Sequence, residues 1–164
     1  MSILPSSLLP VTWRSGRFDA LSLRELQFIY MARQQVFAIE QNCVYLDVDG
    51  HDETAWHMAA WSPAQAMPLA YARLLDPGVK YAEPSMGRVI TTEAARGTGL
   101  GRELVRRVVE LGDRVWPGRG MRISAQSRLE AFYGELGFAI VGERYLEDGI
   151  PHTEMALAMP LRKA

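Results

Sequence analysis

Residues 96–102 read Arg-Gly-Thr-Gly-Leu-Gly-Arg. They lie between a strand-like run at 85–92 and an apolar stripe at helical spacing, Leu100, Leu104, Val108, Leu111 and Val115. Three glycines at alternate positions let the backbone come close to a ligand and expose its N–H groups. The start of a helix adds partial positive charge, so a phosphate is the natural guest. Arg96 and Arg102 add formal charge at the two ends. Two familiar phosphate loops are excluded. A P-loop needs Gly-Lys, and no such pair occurs. The dinucleotide fingerprint Gly-x-Gly-x-x-Gly meets Arg102 or Leu104 where its last glycine belongs. The pattern that remains is Arg-x-x-Gly-x-Gly at Arg96, Gly99 and Gly101.

Outward from this loop the chain reads as alternating elements. Residues 85–92 are expected as a strand, with Met86, Arg88 and Ile90 on one face and Gly87, Val89 and Thr91 on the other. The helix after it runs from Thr98 to about Val115 and ends at Pro117-Gly118. A short strand follows at 121–125. Ser127 and Glu130 have the spacing of a capping box ahead of Leu129, Phe132, Tyr133 and Leu136, a short amphipathic helix stopped by Gly137. Strands at 138–145 and 153–158 follow it. Upstream, 11–14 reads as a strand. Ser22 and Glu25 cap a helix whose spacing runs on to Glu40, a stretch long enough to invite a break or kink. Residues 55–61 and 69–75 read as a hairpin around Pro63 to Pro68. The expectation is one α/β domain spanning 1–164, with its core at about 11–160.

Composition bounds the function. The chain has 164 residues, 48% of them hydrophobic, enough for one core. Lys plus Arg number 18 and Asp plus Glu 19, a net charge of −1. That balance argues against a nucleic-acid partner. No run has the length of a membrane span, and Met1 to Pro10 lacks the features of a signal peptide. Cys43 is the single cysteine and has no internal disulfide partner, so a cytoplasmic location is expected. The small sum hides a segregation. Residues 40–53 hold five acids (Glu40, Asp47, Asp49, Asp52, Glu53) and no Lys or Arg, while 96–107 hold four Arg and one acid. This reads as two solvated patches, or as a site for a cationic ligand and a site for an anionic one.

The glycine loop, placed after a strand ending Val89-Ile90-Thr91, resembles that of the GNAT superfamily of acyl-CoA-dependent N-acyltransferases. A later Phe132-Tyr133 followed by Gly137-Phe138 matches the family's second element. Val36 to Cys43, Asp47-Val48-Asp49-Gly50, Ala125-Gln126 and Glu147 to His152 are together similar to the ElaA-like subfamily, over about residues 20–158. The resemblance implies a GNAT fold: a mixed, mostly antiparallel sheet with flanking helices, splayed between the strands at 85–92 and 121–125. It implies acetyl-CoA as co-substrate, with Val89, Ile90 and Thr91 along the pantetheine arm and Arg96, Gly97, Thr98, Gly99, Leu100, Gly101 and Arg102 around the pyrophosphate. Gln126 stands where many members carry an asparagine that contacts the coenzyme. Tyr133 would protonate the departing thiolate, a phenol near 10 being matched to a thiol near 8.5.

Acetyl transfer to a primary amine needs that amine neutral, so a base must take its proton. Glu40, at the end of a helix, is the candidate for acceptor binding or proton removal, and His152, after the turn Gly149-Ile150-Pro151, lines the site. His57, in a strand, ranks third. Asp47-x-Asp49-Gly50-x-Asp52 fails the calcium-loop register, because the glycine falls at position 4 where position 6 is needed. No metal is expected, and the segment reads as an acidic acceptor-binding loop or a capped turn. Direct transfer makes an acyl-cysteine at Cys43 unnecessary. The acceptor is a small-molecule or peptide amine, no membrane partner is expected, and a homodimer is left open. The alternative function is a non-catalytic, regulatory acyl-CoA-binding module. An unrelated nucleotide binder is the third class.

Overall fold

Four antiparallel strands run in simple order: β1 (Thr12–Arg17), β2 (Trp56–Trp61), β3 (Ala70–Leu75) and β4 (Ser85–Thr91). The computed structural model describes residues 10–158. The expected domain limits and nearly all of the leader reading at Met1 to Pro10 therefore fall outside the described residues. The expected hairpin at 55–75 is present, with Ala60 opposite Ala70. β3 is buried along its whole length, because a helix covers each face of the sheet. On one side Ala70, Ala72 and Leu74 pack against α2 (Leu100–Val115). On the other, Tyr71, Ala59 and Ile90 pack against α1 (Leu23–Gln34).

Both long helices follow from local chemistry. Ser22 Oγ accepts from the Glu25 amide at 3.1 Å, and the Glu25 carboxylate accepts from the Ser22 amide at 2.8 Å. This capping box satisfies two donors at the start of α1. α1 passes directly into a π-helical turn at Gln35–Glu40, which is where the sequence suggested a kink. α2 buries Leu100, Leu104, Val105, Val108 and Leu111. Each such aliphatic side chain contributes roughly 1.5–3 kcal/mol of burial.

A second, three-stranded sheet has the order β5-β7-β6, with β5 at Met121–Gln126, β6 at Ala139–Glu147 and β7 at Ile150–Leu157. α3 (Glu130–Glu135) joins β5 to β6. β4 and β5 are neighbours without a ladder between them. Their starts are tied by the Arg122 amide to the Pro84 carbonyl, 3.0 Å, and no pairing continues along the strands. The splayed, mostly antiparallel architecture expected from the sequence is therefore present, with every ladder antiparallel among the described residues. Among them no helix is long and apolar enough to cross a membrane.

Two local expectations are overturned. The face assignment in β4 fails because a bulge at Arg88 and Val89 interrupts the register, Tyr71 facing Ile90 but Arg73 facing Gly87. One extra residue flips the alternation. Met86 thus joins the α2 side of the core and Ile90 the α1 side. The second capping box does not form. Ser127 lies in a 3-10 turn and bonds Thr153 Oγ1 at 2.8 Å, while Glu130 binds Arg144 and Thr153. Both side chains tie the α3 region to the second sheet instead of capping a helix.

Candidate functional site

The glycine loop leaves β4 through a short 3-10 turn, Glu93–Ala95. Gly97 and Gly99 have φ values of 74° and 84°, left-handed backbone that a side chain would strain. Gly99 is also the N-cap of α2, with no side chain to cap it; the Leu100 amide donates to Thr98 Oγ1 at 3.4 Å, and the amides of Gly101 and Arg102 are the first-turn donors left open. The α2 segment therefore starts two residues later than the Thr98 expected from sequence. At Gly101 a Cβ would make only ordinary contacts, 3.5 Å from Thr91 Cγ2 and 4.0 Å from Phe132 Cζ, so the need for glycine in this loop rests on the left-handed positions 97 and 99. Beneath the loop is a cavity of about 750 Å³, lined among others by Val89, Ile90, Thr91, Arg96, Gly97, Gly99, Gly101 and Arg102. The loop and strand residues singled out by sequence are thus brought together. Thr98 and Leu100 are the exceptions, both buried and structural: Thr98 Oγ1 donates to the Ala95 carbonyl at 2.5 Å, and Leu100 belongs to the core.

Glu40 is on this side too. It forms an ion pair with Arg96 and lines the loop cavity. The expectation that it lies with the acceptor-side residues is corrected: the π-helical turn ends at Glu40 and carries it toward the loop. Arg102 pairs with Glu135 and lies over the Phe132 ring.

A second cavity, about 540 Å³, lies on the other side of the splay. His152, Glu147, Ser124, Gln126, Gln41 and Cys43 are among its lining. Gln126, expected at the coenzyme, is placed here. Its Nε2 donates to Gln41 Oε1 at 3.0 Å and its Oε1 accepts from Arg128 at 2.9 Å. The two cavities share Gln41, Val89, Arg128, Leu129 and Tyr133. Tyr133 is buried between Phe132 and Phe138, each edge-on to its ring. Desolvation pushes its phenol well above the ordinary value, with Arg128 offsetting part of the rise. It stays protonated at neutral pH, at the junction of both cavities. Cys43 is buried and desolvation raises its thiol, with Asp148 adding to the effect, which suits an inert group better than a nucleophile.

The acidic segment is not a free cation site. Arg33, fully buried, reaches Asp52 at 2.7 Å and Asp47 at 2.9 Å. Arg73 reaches Asp49 at 2.7 Å and Asp52 at 3.3 Å. Arg88 reaches Asp47 at 2.8 Å and Asp49 at 3.2 Å. Three arginines from α1, β3 and β4 thus neutralise three aspartates. Burial opposes the charge on Asp49, but the Arg73 hydrogen bonds prevail and hold its carboxyl far below the usual range. The network also anchors the β4 bulge, since Arg88 has φ of 50°, a cost that its two ion pairs offset. His57 is equally internal. Its Nε2 donates to the Asp52 carbonyl at 2.8 Å and its Nδ1 accepts from Tyr71 at 2.7 Å. Burial lowers its pKa, and it lines neither cavity.

Sequence reasoning missed Glu147, Ser124 and Gln41. Asp148-Gly149 was the available signal for Glu147: such a pair marks a tight hairpin, and its flanking residues share a face. Nothing local marks Gln41 or Ser124.

Comparison with known proteins agrees with this arrangement. The sequence profile described as "Acetyltransferase (GNAT) domain" matches residues 63–159. The chain is 41% identical to a UPF0039 protein of Synechocystis sp. over 150 residues, covering 92% of this chain and 97% of that one. It is 37% identical to Protein ElaA of Escherichia coli over 148 residues, covering 89% and 95%. Among solved structures, an acyl-CoA N-acyltransferase from Pseudomonas aeruginosa superposes with a TM-score of 0.85 at 41% identity, covering 90% of this chain and 99% of that chain. Escherichia coli ElaA follows at 0.83 and 36%, with the same coverage.

Proposed function

This chain belongs to the GNAT acetyltransferase family, and from that premise we propose that it moves an acetyl group from acetyl-CoA directly to a primary amine of a small molecule or peptide. One observation carries the reading. A cavity under an anion-binding glycine loop and a cavity lined by His152 and Glu147 meet at Tyr133. Acetyl-CoA supplies an acetyl thioester together with phosphates for the loop. The residues fit it: open backbone donors in the first turn of α2, flanking arginines, and glycines at the left-handed positions 97 and 99.

Each protein group then has a task. Arg96 to Arg102 hold phosphate, with Glu40 positioning Arg96. The bulge at Arg88 and Val89 takes backbone groups out of the ladder and presents N–H toward a thioester carbonyl. His152 takes a proton from the ammonium of the acceptor. The freed nitrogen lone pair forms the C–N bond as the C–S bond breaks, and the sulfur keeps that electron pair. Tyr133 gives sulfur its proton, and the surplus proton on the new amide nitrogen returns to the phenolate through water. The same desolvation that raises the Tyr133 phenol acts on a thiolate beside it, so donor and acceptor remain matched. Holding both reactants across the splay supplies the rest by orientation.

Calorimetry with acetyl-CoA, combined with thiol release across a panel of amines, tests this. Saturable binding and amine-dependent thiol release are expected. Absence of acetyl-CoA binding overturns the reading.

A further inference from the structure

One hairpin holds both His152 and Glu147. Its turn is Asp148-Gly149, with φ of 51° and 76°, a two-residue connection whose twist suits antiparallel strands. Glu147 faces Ile150 across the turn, and Tyr145 faces His152. Tyr145, Glu147 and His152 therefore stand on one face. β5 adds Gln126, opposite His152, and Ser124 to that face. Rings of Tyr145 and His152 stack at 6.1 Å, which fixes the imidazole plane.

The hydrogen bonds determine which atoms remain for a ligand. His152 Nδ1 is 2.8 Å from the Ile150 carbonyl oxygen. A carbonyl only accepts, so Nδ1 carries the hydrogen. In the neutral ring Nε2 is then a bare lone pair, and it stands 3.5 Å from Glu147 Oε2. Two acceptors face each other across that gap. Ser124 Oγ donates to the same carboxylate oxygen at 3.1 Å. All three side chains line the second cavity. The histidine side chain is 12% exposed and the glutamate 43%, so the pair has a walled side and a wet one. A group that donates to both atoms, and brings positive charge, completes the arrangement. A protonated alkylamine does so with three N–H groups. An arylamine is neutral, with its lone pair delocalised into the ring, and does not.

We propose that Glu147, His152 and Ser124 form the subsite for the acceptor's ammonium group, selecting protonated alkylamines over arylamines. The inference rests on the acyl-transfer reading above and names its acceptor class. Glu147 binds the charge. The N–H bond facing Nε2 breaks, its electron pair stays on the amine nitrogen, and the proton moves to Nε2. The Glu147 carboxylate then balances the imidazolium.

The test uses the full chain with labelled histidine and n-butylammonium chloride as the probe, read by side-chain NMR. The expected result is a saturable shift at His152 Nε2. Glu147→Gln weakens it about tenfold, the loss of one hydrogen bond to a charged group. Glu143→Gln, at an exposed position on β6, leaves it unchanged. Aniline produces no shift. In turnover with n-butylamine, Glu147→Gln raises KM about tenfold with kcat nearly constant, whereas His152→Gln lowers kcat. An unresponsive His152, an equal response in Glu147→Gln, or an equal response to aniline overturns the subsite. Loss of acetyl-CoA binding in calorimetry is a separate result that removes the transfer reading and leaves the NMR outcome standing.

Discussion

The glycine loop at 96–102 carries two arginines and the acidic segment at 47–53 four carboxylates, and the fold treats them in opposite ways. The aspartates meet arginines from three other elements and are neutralised inside the protein. The loop keeps open donors because these are backbone amides at the start of α2. Thr98 Oγ1 takes the Leu100 amide, but the amides of Gly101 and Arg102 have no intrahelical acceptors, and Gly99 brings no side chain to satisfy them. Arg96 and Arg102 are paired as well, with Glu40 and Glu135. Their side chains are 44% and 49% exposed, and exposed pairs exchange partners at little cost. Arg33 and Asp52 are only 0% and 3% exposed, where a lost partner leaves a poorly compensated charge. A cluster of charge therefore stays open to a ligand where its pairs within the chain are exposed, and not where they are buried.

The sharpest way to break this contrast is Arg33→Ala. It leaves buried Asp52 with Arg73 alone, at 3.3 Å, and Asp47 with Arg88 alone, and urea denaturation should show a loss of about 3 kcal/mol. A loss near that of a surface change would mean that the network is solvated and the segment available for a ligand. Gly99→Glu attacks the other region. It sets a side chain and a negative charge at a left-handed position facing phosphate, so acetyl-CoA affinity should drop at least about 100-fold, or 2.7 kcal/mol. Unchanged calorimetric affinity would remove the loop from the binding site.

Tyr133→Phe should lower kcat about tenfold or more while acetyl-CoA affinity holds. An unchanged rate, with chemistry limiting, would reduce Tyr133 to packing. The smallest effect concerns pH. The Asp49 carboxyl titrates lower folded than unfolded, so its contribution is complete above the unfolded value, about 4. That contribution is lost as pH falls through the lower folded value. Buried His57, whose pKa is lowered, makes stability decline as pH falls below its unfolded value of about 6.5; Asp49 adds a further decline below about pH 4, and Asp49→Asn should make that lower part shallower. A decline of the same steepness in the variant would assign acid sensitivity elsewhere.

Several features were readable locally. The Ser22–Glu25 cap, the α2 stripe and the glycines all act through neighbours within one helical turn, and the sequence states those neighbours directly. The same local rule failed at Ser127 and Glu130. Their capping-box spacing was present, but Thr153 and Arg144 offered stronger partners from distant strands. The β4 face pattern failed at Arg88 because the bulge is held by Asp47 and Asp49, some forty positions away. Glu40 was found as a polar residue at a helix end, but its side depended on a π-helical turn. Gln126 was chosen by resemblance, and its contact with Gln41 across 85 positions placed it in the other cavity.

Residue order was enough to specify the two long helices, the glycine loop and the tyrosine that follows it, because each depends on chemistry within a few residues. The destinations of the charges were settled by folding. Carboxylates at 47–52 act as structural counter-ions, and Glu147 becomes available beside His152, because Coulomb and hydrogen-bond energies depend on distances between chain-remote atoms. Those distances are set by how the two sheets and their helices pack.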